Sequence, residues 1–127
     1  MQNRRLIYIP TEPSLKNLAS IMNAIDHYIL ESKYLSRLNP NYCFYGKANS
    51  VQEVWCGREI AGREEDIYSH PEIKVVDFEA GDFENLKVTA TNFQELFSTI
   101  ENMNSKYDSF RVLYSLETPM DFDLFLF

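Results

Sequence analysis

The residues with the clearest chemical potential lie near the middle of the chain, where Glu64, Glu65 and Asp66 are followed by Tyr68 and by His70 ahead of Pro71. Carboxylates beside an imidazole can divide general acid and base work, provided burial lifts one carboxyl pKa toward neutrality. Three consecutive acids point at least two side chains into water, and a histidine before proline more often caps a turn than it moves a proton. A small hydrolase using Glu64, Glu65, Asp66 and His70 is therefore the third of three functional readings. His27 and Glu31 stand four residues apart, as do Asp66 and His70, which is ligand-like spacing. Two histidines cannot complete a three-ligand zinc site without carboxylates, and no HExxH or CxxC accompanies them, so no metal is expected.

Two further patterns come close to known chemistry and fall short. "GREIAGRE" supplies Gly57 and Gly62 as in a phosphate-cradling loop, but Arg63 stands where that motif needs lysine and Glu64 where it needs a magnesium-binding hydroxyl. No nucleotide or other cofactor is expected. Cys43 and Cys56 lie in apolar surroundings with no adjacent His or Lys to lower a thiol pKa, which reads as two reduced thiols in or near the core.

The stretch "VVDFEAGDFENL", residues 75 to 86, writes Asp-Phe-Glu twice around Ala80 and Gly81. It belongs to a wider pattern in which acids gather at residues 64 to 66, at Asp77, Glu79, Asp82 and Glu84, and at Glu117, Asp121 and Asp123. Phe78, Phe83 and Phe122 interleave with them, so a strand would set phenylalanine on one face and carboxylates on the other. A solvated face accounts for each group taken alone. The groups nevertheless share one sign: residues 1 to 63 carry eight Lys/Arg against five Asp/Glu, and residues 64 to 127 carry four against fourteen. Clustered like charge opposes folding, a cost that a cationic partner would relieve.

Nucleic acid is a poor candidate for that partner, since phosphates call for a basic patch and the pI is about 4.8. A basic protein fits better. The preferred reading is a small acidic binding protein that neutralises a basic target, an immunity protein occluding the substrate groove of a bacterial nuclease toxin. Its contacts would come from Glu64, Glu65, Asp66, Asp77, Glu79, Asp82, Glu84, Asp121 and Asp123, with Tyr68 and Phe83 as aromatic anchors. A phage-type inhibitor of a host defence nuclease, mimicking nucleic acid, has the same features, and a non-enzymatic adaptor domain is the other alternative.

These groups must be positioned by one domain over residues 1 to 127, a length with 45% hydrophobic and 14% aromatic residues that can bury its own core. "LIYI" before Pro10 is too short for a signal peptide or a membrane helix, so a cytoplasmic location without membrane contact is expected. The apolar residues from Leu15 to Leu35 recur at helical spacing and predict a helix from Ser14 to about Leu38. Phe93, Leu96, Phe97, Ile100 and Met103 form a second stripe, with Thr91 as cap and Gln94 three residues on. Strands are expected at "RRLIYI", "YCFY", "EIKVVDF", "NLKVTA" and in a C-terminal hairpin around "ETPMD". "SVQEVWCGREIAG" also reads as a strand, although Ser50 and Glu53 have capping-box spacing. Ala80 and Gly81 can make the connection between the strands on either side. The fold class is α+β, two helices packed on a mainly antiparallel sheet.

Overall fold

A computed structural model describes residues 3–32, 35–62, 69–79, 84–103 and 106–127, with residues 3, 4, 78 and 79 described by backbone alone. Eight strands and two helices follow in the order β1 (Asn3–Thr11), α1 (Leu18–Glu31), β2 (Ser36–Arg37), β3 (Tyr42–Lys47) and β4 (Val54–Ala61). Then come β5 (Lys74–Glu79), β6 (Glu84–Thr89), α2 (Phe93–Asn102), β7 (Ser109–Tyr114) and β8 (Asp121–Leu126). All pairings are antiparallel within one sheet ordered β5-β1-β4-β3-β7-β8-β6, with β2 added to β4. The expected α+β class is the one observed.

The order contains a duplication. β1-α1-β3-β4 and β6-α2-β7-β8 are each strand-helix-strand-strand units, and in each the last strand lies between the other two. The units join where β3 pairs with β7, from Tyr42 opposite Tyr114 to Lys47 opposite Ser109. That seam runs through the middle of the sheet.

The connection between the units also shapes the sheet. β5 and β6 lie at opposite ends of the strand order, yet Glu79 and Glu84 are only five residues apart along the chain. A flat sheet would separate the two ends by six strand spacings, about 29 Å, whereas five extended residues reach about 18 Å at most. The sheet must curl. Its outer face carries both helices on a large apolar core that includes Ile25, Phe44, Leu96, Phe97, Phe110 and Leu124. Its inner face holds a second cluster, Leu6, Tyr8, Cys43 and Tyr45, to which neither helix contributes.

Local chemistry sets the element ends. α2 is capped one residue later than the spacing of Thr91 and Gln94 suggests, because the Asn92 side chain accepts from the Glu95 amide at 2.8 Å. Glu95 reaches back to the Thr91 amide and hydroxyl, closing the same kind of reciprocal cap. α1 is shorter than the stripe predicts. Leu15 is buried but has φ of 50°, outside the helical range, and the chain turns extended at Ser32 before β2 pairs with β4. Leu15 and Leu35 thus keep the apolar rhythm while packing from outside the helix. The ambiguous segment is a strand, β4, as read.

α1 is held to the sheet by more than apolar contact. Arg58, on the outer face of β4, donates from Nε to Asp26 Oδ1 at 2.6 Å and lies 3.7 Å over the Tyr42 ring. The Tyr42 hydroxyl donates to the other oxygen of the same carboxylate. Burial alone would raise the Asp26 carboxyl, but these hydrogen bonds outweigh it and hold its pKa below the usual carboxylate range.

Candidate functional site

Alternation along the strands puts Leu6 and Tyr8 of β1, Trp55 and Glu59 of β4, Cys43 and Tyr45 of β3, and Arg111 and Leu113 of β7 on the inner face. Curling encloses them. Glu59 and Arg111 are 1% and 7% exposed, which makes this a buried ion pair in a face that a flat sheet would leave wet. Glu59 Oε1 accepts from Arg111 Nε at 3.0 Å, from Arg111 Nη2 and from the Cys43 thiol at 3.2 Å. The guanidinium also lies 4.7 Å over the Phe125 ring. Because Glu59 belongs to the first unit and Arg111 to the second, the pair crosses the seam.

Gly57 is required at the middle of this face. A Cβ there would sit 1.8 Å from the Ile7 carbonyl oxygen, so β4 and β1 approach as closely as they do only because position 57 has no side chain.

Beside the ion pair the inner face opens into a slot of about 400 Å³. Tyr45, Trp55, Val76 and Phe127 line it, together with the exposed Lys47 and Glu53. Tyr8 backs the Trp55 ring in a parallel stack, with centroids 4.3 Å apart and planes at 14°. Burial first, and then the nearby Glu53 carboxylate, push the Tyr8 phenol above its ordinary pKa. The slot draws strands from both units, as the contributions of Tyr45 and Trp55 on one side and Ser109 on the other make plain. A volume of this size with aromatic walls and a few polar groups at the opening is what a small-molecule site requires.

Of the candidate catalytic residues only His70 is described, and it is engaged elsewhere. His70 Nδ1 accepts from the amides of Glu72 and Ile73 at 3.0 and 3.1 Å, capping a turn as the His-Pro sequence suggests. His27 Nε2 lies 2.9 Å from Glu31 Oε1 along an exposed face of α1. Both thiols are free and buried; burial pushes Cys56 up to about 12, and burial together with the Glu59 carboxylate raises Cys43 well above its ordinary value. Among the described residues no three His, Cys, Asp or Glu side chains gather as a metal ion would need. No described helix is long and apolar enough to cross a membrane.

Of the residues expected to bind a partner, Glu64, Glu65, Asp66, Tyr68, Asp82 and Phe83 lie outside the described residues, as does the Glu79 side chain. The Phe78 side chain, expected in the core, is likewise not described. Asp77, 52% exposed, is held in two hydrogen bonds by Arg5 across the β1–β5 pairing, and these hold its carboxyl low. Asp123 forms an ion pair with its register partner Lys87, and Asp121 lies 3.3 Å from the Thr89 hydroxyl. Glu84 is exposed at the start of β6. Phe122 is buried while Asp121 on the same strand is exposed, the division between faces that the interleaved sequence implies. The structure therefore distributes the described acids over β5, β6 and β8, and it converges aromatic residues instead.

Reading the sequence missed the slot residues Tyr45, Trp55 and Phe127 and the pair Glu59–Arg111. The available signal was Arg111 alternating with Phe110 and Val112 in "SFRVLY", which marks a second face without saying that the face is buried. Comparison with known proteins found no matching family model, no matching curated protein and no matching solved structure.

Proposed function

We propose that this chain is a non-enzymatic binding protein whose inner sheet face takes a small, flat aromatic molecule. The observation that carries this reading is the aromatic slot at the seam of the two units, preformed by Tyr45, Trp55 and Phe127. Rings stacked on Trp55 would extend the existing Tyr8–Trp55 pair, an arrangement worth about 0.5–1.5 kcal/mol beyond the area buried. The buried ion pair and Gly57 serve this site by holding together strands of the inner face that lines it. Binding without turnover is supported by the engagement of His70, Cys43 and Cys56 in turn and core.

Trp55 is the chain's single tryptophan, so its emission reports directly on the slot. Titration with a panel of flat aromatic compounds should quench or shift that emission saturably for at least one member, and Tyr45→Ala should abolish the response. A panel that leaves Trp55 emission unmoved overturns the reading.

A second reading has its own observation. Asp77, although held by Arg5, is half exposed on β5, Glu84 is exposed at the start of β6, and the two copies of Asp-Phe-Glu to which they belong are separated in sequence only by Ala80 and Gly81. Carboxylates there would pair with Lys or Arg in the groove of a basic protein such as a nuclease toxin, by occlusion and with electrostatic steering. This partner would associate more slowly as salt rises, and replacement of Asp77 and Glu84 by lysine would weaken it. A complex indifferent to both would leave those acids as a solvated face.

A further inference from the structure

Gln52 and Glu53 line two depressions. On one side lies the aromatic slot; on the other is a second, shallower hollow of about 550 Å³. Its lining is of a different kind, with Thr11, Ser14, Lys16 and Asn17 alongside Gln52 and Glu53. Hydroxyls and carboxamides predominate, and the charged groups are of both signs, Glu12 and Glu53 against Lys16. An anion placed there would meet two carboxylates, and a cation would meet the lysine. A neutral group with many donors and acceptors would meet complementary partners throughout. Asn17 stands at the N-cap position of α1 but its side chain makes no capping hydrogen bond, so its carboxamide is not committed to the helix.

We infer that the two depressions are subsites of one site, and that the natural ligand is bipartite: a flat aromatic body in the slot joined to a neutral, polyhydroxylated group, a sugar in chemical class, over the Gln52–Glu53 lip. This rests on the proposed aromatic-binding function. The lip is fixed well enough to divide two subsites. The Val51 amide beside Gln52 donates to Glu101 of α2 at 3.1 Å, and Ala48 and Val51 are buried in the core at 1% and 6% exposure.

The test compares 4-methylumbelliferone with its β-D-glucoside by calorimetric titration of the full chain. The glucoside should bind more tightly by on the order of tenfold, the gain of one or two net hydrogen bonds. In the double variant Ser14→Ala, Asn17→Ala that ratio should fall toward one. Trp55→Ala should weaken both compounds. Equal affinities in the unmodified protein, with both still lost in Trp55→Ala, would overturn the bipartite ligand and leave the aromatic slot standing. A glucoside that binds no more tightly than the aglycone would likewise overturn only the bipartite ligand, whereas failure of both compounds to bind at millimolar concentration, or indifference of both to Trp55→Ala, would count against the slot itself and so against both inferences.

Discussion

Glu59 and Arg111, 52 residues apart in sequence, meet on a single carboxylate oxygen across β3, the strand between them. Each comes from a different strand-helix-strand-strand unit, so this contact is the polar bolt through the seam. A buried ion pair offers modest net stability as a whole, because desolvation offsets most of the attraction, but removing one partner strands the other in the core.

Arg111→Met alone should therefore cost about 3–5 kcal/mol, since it leaves the Glu59 carboxylate buried beside the Cys43 thiol. Adding Glu59→Gln should recover a substantial part of that loss by removing a buried charge that has lost its guanidinium partner. Denaturant unfolding of the two single variants and the double variant, analysed as a mutant cycle, checks the coupling. Additive losses would mean that the pair does not act as a unit.

Gly57→Ala should destabilise by about 1–3 kcal/mol or more, because the added methyl would collide with backbone of β1 that no rotamer change can move away. A melting temperature lowered by several degrees is the expected readout. An unchanged melting temperature would show that β1 and β4 can separate freely at this point.

Acid should loosen α1 late. The Asp26 carboxyl is held below its ordinary value by Arg58 and Tyr42, so its contribution is present in full above the unfolded-state pKa, about 3.9. It is lost as pH falls through the lower folded-state value. Unfolding measured from pH 7 to pH 2 should show a decline below about pH 4 that is shallower in Asp26→Asn. A group with a raised pKa would give the opposite trend, losing stability as pH rises.

The thiols should be inert in the folded chain. With Cys56 pushed up to about 12 and Cys43 higher than usual and fully buried, a thiol reagent at pH 8 should label neither within the time that an unfolded sample reacts completely. Rapid labelling of the native protein would place one of them in a reactive setting.

Much of the fold was legible because its signals are local. The stripe from Phe93 to Met103 faces one way around a helix, and "EIKVVDF" and "NLKVTA" read as strands wherever they pair. Local signals also misplaced ends: Asn92, not Thr91, carries the cap, and Leu15 and Leu35 lie outside the helix their spacing suggests. The pairing of β3 with β7 could not be read, since nothing in "YCFY" names "SFRVLY" as its neighbour rather than another strand. Nor could the burial of Glu59 and Arg111 or the partial burial of Trp55, which depends on the sheet curling enough for one short connection to span from β5 to β6. Alternation correctly assigns Arg111 to a second face. Whether that face is wet is decided by topology, in strands and a connection far from it in sequence.

A ligand site on the inner face between the two units is open to amide chemical-shift mapping with a library of small aromatic fragments. Fragments that bind should shift amides grouped around Tyr45, Lys47, Trp55, Val76 and Ser109, with exchange that saturates. Shifts scattered over the helices, or confined to β5 and β6 near Asp77 and Glu84 while the slot residues stay unmoved, would contradict it.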